Sequence, residues 1–338
     1  MLLLENQSLK NLNTFRVDVK AKFFAEVFLE EELIDILLDN KFKSEKKFIL
    51  GGGSNILFTK DYEGLIIKVS IPGIKIIEED SDSVLIEAGS GGIWNDLVNY
   101  CVDRNFGGVE NLALIPGTVG AAPIQNIGAY GQEIANSFVS LKGIFIESGE
   151  QKTFSKDECR FSYRSSVFKE ELKNEFIITS VRLKLSKVPK PNLNYKALSD
   201  YVLKKRISNP SIKDISNAVV EIRRSKLPDP VKIGNAGSFF KNPVMSEDLF
   251  QKLKSEHNDI ASFPSESGKI KISAGWLIEK SGWKGKRIGD VGTSPDHALI
   301  ICNFGNATGP EILELAMRIK EEVSNKFGII LEEEVNIL

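Results

Sequence analysis

Residues 114–131 read LIPGTVGAAPIQNIGAYG and contain no charged side chain. Glycine weakens a helix and proline breaks one. A run with four glycines and two prolines therefore does not form a long regular helix. It is also too apolar for an ordinary exposed loop, and long irregular segments are uncommon inside compact domains. We expect this Gly/Pro run (residues 114–131) to wrap closely around a large flat ligand, with backbone groups as its polar contacts. The alternative is a buried loop with only a structural role.

A second glycine segment follows a short apolar strand. Lys47–Leu50 is predicted to be a strand, and it leads directly into GGGSN at residues 51–55. Glycines let backbone N–H groups approach an anion, and the serine and asparagine side chains add hydrogen-bonding groups. The alternative is a plain turn after a strand. Ile56 stands where GxGxxG has its third glycine, which disfavours a standard dinucleotide-binding Rossmann unit.

Two segments contain polar residues suited to chemistry on an anionic substrate. Arg164 lies in FSYRSSVFK (residues 161–169), where its forked donors can hold a carboxylate or an enolate. The alternative is an arginine at a strand edge that extends its charged end into solvent. Ser238 lies in GNAGSFFKNP (residues 234–243) without a nearby histidine, so it is a poor nucleophile. It can instead deliver a proton in a desolvated pocket, or simply cap a turn.

The last candidate is the acidic triplet Glu332-Glu333-Glu334 near the end of the chain. Strand alternation would put the outer two residues on one face and Glu333 on the other. Such a triplet is commonly a solvated edge that prevents aggregation. The functional alternative is one buried glutamate that faces a pocket. His297 is an isolated histidine, for which a structural role is the more common one.

Composition excludes several classes of protein. The 338 residues predict about two domains, and 44 basic against 46 acidic side chains argue against a dedicated nucleic-acid-binding protein. The three cysteines are far apart in the sequence, which argues against a disulfide framework and favours a reducing compartment. With two histidines and neither HExxH nor CxxC, no metal site is expected.

The sequence also predicts where the protein resides. It contains no run of about 18 apolar residues, so no membrane-spanning helix is expected. The first residues, MLLLENQSLK, lack the basic region and the long apolar stretch of a secretion signal. We therefore expect a cytoplasmic protein.

Strands and helices are mixed along the whole chain, which predicts an α+β architecture. Helices are expected, for example, at Glu30–Asn40 and Pro310–Lys326, and a terminal strand at Ile329–Leu338. The sequence KLPDP at residues 226–230 breaks a helical pattern, because proline cannot continue it. The main domain boundary is expected there.

Taken in order, four segments resemble those of the UDP-N-acetylenolpyruvoylglucosamine reductases, a flavoenzyme family of peptidoglycan precursor synthesis. They are residues 115–131, 161–169, 226–242 and 331–335, and the resemblance extends over nearly the whole chain. Tyr195 indicates the longer branch of the family, which carries a tyrosine-bearing loop over the substrate.

The resemblance implies a vanillyl-alcohol-oxidase-type FAD-binding fold of two subdomains, residues 1–71 and 72–225. A substrate-binding α+β domain, residues 226–338, follows. FAD would be bound without a covalent link, because no histidine lies in the flavin segments. The implied FAD-binding residues are Gly51, Gly52, Gly53, Ser54, Asn55, Pro116, Gly117, Thr118, Gly120, Ala121, Gly128 and Tyr163.

The implied reaction is the reduction of UDP-N-acetylglucosamine enolpyruvate to UDP-N-acetylmuramate. NADPH provides the hydride through FAD, Ser238 donates the proton, and Arg164 and Glu334 stabilise the enolic intermediate. The residues implied to contact the sugar nucleotide are Tyr130, Tyr195, Arg223, Lys226, Asn242 and His297. The expected partners are these small molecules, without nucleic acid, membrane or an obligate protein partner.

Two positions depart from the family pattern. Glu333 stands where proline is common, and it is expected to face away from the site. His297 replaces a glutamine of the long branch, which would make substrate binding depend on pH. Two other functions compete with the reductase: an FAD oxidoreductase of the same fold with another substrate, and a non-catalytic sensor of sugar nucleotides.

Overall fold

The computed structural model describes residues 1–264 and 268–338. Contacts divide the chain into two compact units. Unit 1 consists of Met1–Gln7, Ala21–Gly52 and Glu63–Ser225, and unit 2 of Ser8–Lys20, Gly53–Tyr62 and Lys226–Leu338. The division at Ser225 and Lys226 falls where the predicted third domain begins. Residues 8–20 and 53–62, which the predicted division places in the first subdomain, belong to the unit of residues 226–338. The subdivision of the FAD-binding part into 1–71 and 72–225 stays a prediction.

Strands and helices alternate through both units. The helices of the described residues are α1 Glu30–Leu38, α2 Trp94–Asp103, α3 Lys196–Lys204, α4 Ile212–Lys226, α5 Glu247–Glu256, α6 Ala274–Lys280 and α7 Gly309–Phe327. The strands are β1 Leu2–Ser8, β2 Lys20–Val27, β3 Lys47–Leu50, β4 Ile56–Leu57, β5 Tyr62–Val69, β6 Ile74–Glu79, β7 Ser83–Gly89, β8 Gly128–Ala129, β9 Gln132–Glu133, β10 Phe138–Phe145, β11 Gln151–Ser155, β12 Phe176–Ser186, β13 Gly234–Ser238, β14 Val244–Met245, β15 Ser262–Pro264, β16 Ile270–Ile272, β17 Arg287–Ile288, β18 Val291–Thr293, β19 Ile300–Asn303 and β20 Asn336–Ile337.

The first sheet of unit 1 has the strand order β1-β2-β5-β3, with β3 parallel to β5. Helix α1 buries Leu33, Ile36 and Leu37 in the core beneath this sheet. Its first turn contains three glutamates, which interact favourably with the positive end of the helix dipole. Strand β3 ends at Leu50, so the glycine segment begins at the strand's carboxyl end, as predicted.

The second sheet of unit 1 is antiparallel, with the order β11-β10-β12-β7-β6. Its strands share one buried hydrophobic core with helices α2, α3 and α4. Val119, Ala122 and Ile127 of the Gly/Pro run belong to the same core. The run is therefore anchored by apolar side chains, although its backbone forms little regular structure.

Unit 2 contains the four-stranded sheet β13-β19-β18-β17 and the three-stranded sheet β14-β16-β15. Helix α7 is the longest helix of the described residues and is delimited by its caps. Thr308 and Glu311 form a capping box at its start, and Gly328 ends it with φ +65°. These residues explain why the sequence predicts this helix within one or two positions.

The predicted terminal strand Ile329–Leu338 is wrong over most of its length. Glu333 pairs with Phe240 as an isolated bridge, and only Asn336–Ile337 forms a strand, parallel to β4. The segment changes its hydrogen-bonding partner near Val335, and this bend interrupts the ladder. No helix in residues 1–264 and 268–338 combines the length and the hydropathy needed to cross a bilayer.

Candidate functional site

The glycine segment after β3 contacts the Gly/Pro run within unit 1. A Cβ atom on Gly51 would lie 2.8 Å from Thr118 Oγ1, and one on Gly52 would lie 2.9 Å from Gly117 Cα. Carbon atoms do not approach protein atoms this closely without displacing them, so a side chain at Gly51 would displace the Thr118 hydroxyl, and one at Gly52 would push the two backbones apart. The two predicted cofactor segments therefore meet because glycine permits direct contact between their backbones.

This contact region offers free hydrogen-bond donors. In the part of the chain that the structure describes, the backbone N–H groups of Gly52, Gly117 and Thr118 donate to no backbone carbonyl. Gly52 is exposed and the other two residues are half-buried. Neighbouring N–H groups in glycine-rich turns form concave sites for anions, including phosphates. The residues present thus suit the diphosphate of a dinucleotide cofactor such as FAD.

The Gly/Pro run is fixed along the segment that precedes α2. Val119 N donates to Gly92 O at 2.8 Å, and Gly120 N donates to Ser90 O at 2.9 Å. A Cβ atom on Gly120 would lie 2.5 Å from Ser90 Cβ, so this position also needs glycine. Apart from one 3-10 turn at Val119–Ala121 and the short strand β8, the run is irregular. The glycines and prolines of the run predict such an irregular backbone.

Arg164 occupies a strained two-residue turn. Ser162 and Ser165 exchange both backbone hydrogen bonds, at 3.1 and 3.2 Å, around Tyr163 and Arg164. Arg164 has φ +55°, a conformation that costs a residue other than glycine about 1–3 kcal/mol and is concentrated at functional sites. Its Nη2 donates to Gly128 O at 2.6 Å, which brings the guanidinium to the Gly/Pro run. This position contradicts the alternative of an arginine that merely extends into solvent.

Three predicted substrate residues lie together in unit 1. The rings of Tyr130 and Tyr195 make an edge-to-face contact, with centroids 5.3 Å apart. Tyr130 is also strained, with φ +49°. Arg223 on α4 has a buried Nε without a hydrogen-bond partner in the described chain. Burial lowers the pKa of Arg223, and the positive charge of Arg164 lowers it further, whereas Tyr130 opposes the shift. Two cations in a half-buried setting attract an anionic ligand.

Ser238 ends strand β13 in unit 2. Its neighbour across the sheet is Ile300 of β19, and the preceding Gly237 has φ +70°. Asn235 Oδ1 accepts from Gly237 N at 3.0 Å and thereby holds the turn. Ser238 is half-buried, and its hydroxyl makes no hydrogen bond to any described residue. In the described chain the turn is held by the asparagine, and the serine hydroxyl makes no capping hydrogen bond.

Glu334 is held directly beside the Ser238 segment. Its backbone N–H donates to Phe239 O at 2.8 Å, and Asn55 Nδ2 donates to Glu334 O at 3.2 Å. Glu334 is half-buried. The other two acidic side chains form ion pairs, Glu332 with Lys241 at 3.1 Å and Glu333 with Lys320 of α7 at 2.7 Å. Within the triplet, Glu334 is the residue whose backbone bonds to Phe239, which follows Ser238 directly in the chain.

The remaining predicted substrate residues of unit 2 differ in what they offer. Asn242 Oδ1 accepts from Ala274 N at 2.9 Å, so its carbonyl group caps the start of α6, and its amide N–H groups donate to no residue of 1–264 and 268–338. Burial lowers the pKa of His297, and the charges of Lys226 and Lys284 lower it further, while Glu279 opposes them. The positive charge of Lys226 thus acts on the imidazole of His297.

The structure distributes the predicted residues over both units. Unit 1 contains Gly51, Gly52, Pro116, Gly117, Thr118, Gly120, Ala121, Gly128, Tyr130, Tyr163, Arg164, Tyr195 and Arg223. Unit 2 contains Gly53, Ser54, Asn55, Lys226, Ser238, Asn242, His297 and Glu334. Among the described residues, no group of three His, Cys, Asp or Glu side chains could hold a metal ion.

Sequence reasoning missed two buried asparagines of unit 1. Asn126 Nδ2 donates to Glu133 Oε2 at 2.8 Å and to Ser162 O at 3.0 Å, which ties the Gly/Pro run to the Arg164 turn. Asn111 donates to the carbonyls of Tyr130 and Asn192 and so joins two further segments. An amide in an otherwise apolar stretch was the available signal, because buried polar side chains are normally hydrogen-bonded.

Comparisons with known proteins give a consistent result. The family model described as the UDP-N-acetylenolpyruvoylglucosamine reductase C-terminal domain matches residues 229–338. The model of the FAD binding domain matches residues 21–155. Together these matches confirm the expected α+β fold, with an FAD-binding part followed by a C-terminal domain of this family.

Relatives match over all or nearly all of their length. The UDP-N-acetylenolpyruvoylglucosamine reductase of Flavobacterium johnsoniae is 50% identical over 334 residues, with 98% of each chain covered. That of Amoebophilus asiaticus is 44% identical over 338 residues, with 100% of each chain covered. The crystal structure of the enzyme from Thermus caldophilus is similar with a TM-score of 0.68 and 25% identity, covering 99% of this chain and 98% of that one.

Proposed function

Because the chain belongs to the UDP-N-acetylenolpyruvoylglucosamine reductase family, we propose that it reduces UDP-N-acetylglucosamine enolpyruvate to UDP-N-acetylmuramate with NADPH as the reductant. It is a flavin-dependent oxidoreductase. The observation that carries the finer proposal is the 2.8 Å hydrogen bond from Glu334 N to Phe239 O, which joins the backbone of Glu334 to the residue that follows Ser238. The proposed location is the cytoplasm, which the three free, buried cysteines support.

The proposed FAD site is formed mainly by backbone. Bound there, FAD would supply the hydride that it accepts from NADPH. The free N–H groups of Gly52, Gly117 and Thr118 are the proposed donors to the diphosphate. The Gly/Pro run supplies an apolar, closely fitting surface for the rest of the cofactor, and Tyr163 and Gly128 stand next to Arg164.

Arg164 and Glu334 are proposed to stabilise the charge that develops on the substrate. When a hydride is added to the terminal enolpyruvyl carbon, negative charge accumulates on the neighbouring carbon and its carboxylate. A guanidinium directed at this charge stabilises the transition state more than the ground state. The strained, hydrogen-bonded turn of Arg164 supports this role, because it fixes the direction of the side chain in advance.

Ser238 is proposed to donate the proton that completes the reaction. A serine hydroxyl is a weak acid, but an enolate carbon is a strong base, and a half-buried hydroxyl is poorly hydrated. The hydroxyl has no hydrogen-bond partner in the described chain, which leaves it available to the substrate. Tyr130, Tyr195, Arg223, Lys226, Asn242 and His297 are the proposed contacts to the sugar nucleotide.

The test is an anaerobic visible spectrum of the purified protein, recorded as NADPH and then the enolpyruvyl sugar nucleotide are added. The proposal predicts loss of flavin absorbance with NADPH, its return with the sugar nucleotide, and UDP-N-acetylmuramate as the product. Loss without return would contradict the substrate and indicate another oxidant. Absence of flavin absorbance even after FAD is added would contradict the enzyme and leave a sugar-nucleotide-binding protein.

A further inference from the structure

Asn111 forms a buried bridge between two distant segments of unit 1. Its side chain is 1% exposed. Its Nδ2 donates to Tyr130 O at 2.9 Å and to Asn192 O at 3.0 Å. The amide group has two N–H hydrogens, so each carbonyl receives its own donor. One side chain thus joins the end of the Gly/Pro run to the connector that precedes α3.

The bridge is reinforced from the other side. Asn192 Nδ2 donates to Gly131 O at 3.1 Å, so the two segments are joined in both directions. Tyr195 follows three residues later and makes its edge-to-face contact with Tyr130. The connector is otherwise without helix or strand between β12 and α3. These bonds therefore decide where the Tyr195 ring lies.

The bridge also acts on the strained backbone of Tyr130. A tyrosine at φ +49° persists only where its surroundings hold it there. The hydrogen bond from Asn111 fixes the carbonyl group of this same residue. Loss of the donor would deprive the carbonyl group of this half-buried residue of its partner and would favour relaxation of the peptide.

We propose that Asn111 is a positioning residue that holds Tyr130 and Tyr195 in place for the sugar nucleotide. The identity of the ligand rests on the proposed function above, whereas the bridge itself does not. Asparagine is required because both contacts need a donor. Aspartate has the same shape but offers only acceptors to two carbonyl oxygens.

The experiment compares Asn111→Ala and the isosteric Asn111→Asp with the wild type. Asn303→Ala is the matched control, since Asn303 is also buried and donates to two carbonyls, Phe15 O and Ala307 O, within unit 2. Hydrogen exchange of residues 187–200 is measured without ligand. The dissociation constant of the sugar nucleotide and the rate of flavin reduction by NADPH are measured separately.

Both Asn111 variants are expected to exchange at least about tenfold faster in residues 187–200 and to bind the sugar nucleotide about tenfold more weakly. Flavin reduction by NADPH should keep its wild-type rate. Asn303→Ala should lower the unfolding temperature without either change. If Asn111→Asp kept the wild-type exchange rate and affinity while Asn111→Ala lost both, packing alone would suffice. That result would overturn the proposal.

Two further outcomes separate the bridge from the function. Unchanged exchange in Asn111→Ala would overturn the bridge. Faster exchange with unchanged affinity for the sugar nucleotide would overturn the positioning role. If the wild type itself does not bind the sugar nucleotide, the proposed function fails, and the ligand-free exchange still decides for or against the bridge.

Discussion

The two units provide their functional groups in different ways. Unit 1 offers mainly backbone: glycines 51, 52, 117 and 120 allow close contact between segments, and the N–H groups of Gly52, Gly117 and Thr118 donate to no backbone carbonyl of the described residues. Unit 2 offers side chains, Ser238 and Glu334, on short hydrogen-bonded segments. Backbone sites suit a large cofactor that must be retained, whereas side chains suit proton transfer. Substitutions of these unit 1 glycines should therefore affect retention of FAD, and substitutions of Ser238 or Glu334 in unit 2 should affect turnover.

Arg164 is an exception to this division, because it is a side chain of unit 1 with a proposed role in the chemistry. Arg164→Ala is expected to lower turnover by about 10²–10³, since one preformed donor to the developing charge is lost. FAD content should not change. Steady-state kinetics and the flavin absorbance of the purified variant test this.

Arg160→Ala is the matched control for Arg164. Arg160 lies four residues earlier, also has positive φ (+45°), and pairs with Glu171 on the surface. Its removal should leave turnover near the wild-type value. Equal losses of turnover in both variants would mean that Arg164 acts through folding of the segment. Its proposed role in the chemistry would then be wrong.

Gly52→Ala tests the backbone half of the comparison. The new Cβ would lie 2.9 Å from Gly117 Cα, so the two segments must separate. Overpacking of this kind typically costs about 1–3 kcal/mol, which corresponds to FAD binding weakened by roughly 5- to 150-fold. Titration of the apoprotein with FAD measures the dissociation constant of the cofactor.

Gly275→Ala serves as the control for Gly52, because a Cβ there would meet its nearest atom at 3.6 Å, an ordinary contact. Gly275 lies in α6 of unit 2, where alanine also favours the helix. Its affinity for FAD should equal that of the wild type. A Gly52→Ala protein that binds FAD equally well would contradict the account of the glycine contact.

The smallest expected effect concerns His297. Its pKa is lowered in the folded protein, mainly by burial. An unfolded histidine, with a pKa of about 6.5, therefore binds a proton at a higher pH than the folded one. The stability that neutral His297 contributes is complete above about pH 6.5. It decreases as the pH falls from there through the lower pKa of His297 in the folded protein. The free energy of unfolding should decrease more steeply with falling pH than in His297→Gln.

The same shift bears on the expected pH dependence of substrate binding. Since the neutral form persists below the usual range, affinity should be constant between about pH 7 and 8 and change only in more acidic solution, where His297 gains a positive charge. Calorimetric titrations with the sugar nucleotide at several pH values test this. A change in affinity centred above pH 7 would contradict the lowered pKa.

Much of the fold is readable from local signals in the sequence. Lys47–Leu50 and the glycines after it follow from an apolar strand that meets residues without Cβ atoms. Helix α7 follows from Thr308, Glu311 and Gly328, which cap its two ends. These features depend on neighbouring residues only, so the sequence specifies them directly.

Other features depend on contacts between distant residues, and the sequence does not reveal them. The predicted terminal strand is interrupted because residues 332–334 pair near Phe240 and residues 336–337 pair with β4. The two carbonyl partners of Asn111 come from different segments of the chain. Candidate site residues could be chosen by type and resemblance, but their hydrogen-bond partners required the structure.

The most direct test of the division between the units is rapid-mixing spectroscopy of Ser238→Ala, with Ser246→Ala at the start of α5 as the control. The account predicts that NADPH reduces the flavin of Ser238→Ala at the wild-type rate. Reoxidation by the enolpyruvyl sugar nucleotide with formation of product should be slower by about 10²–10⁴, the usual contribution of a positioned acid. Wild-type formation of UDP-N-acetylmuramate by Ser238→Ala, or equal slowing of both half-reactions, would contradict it.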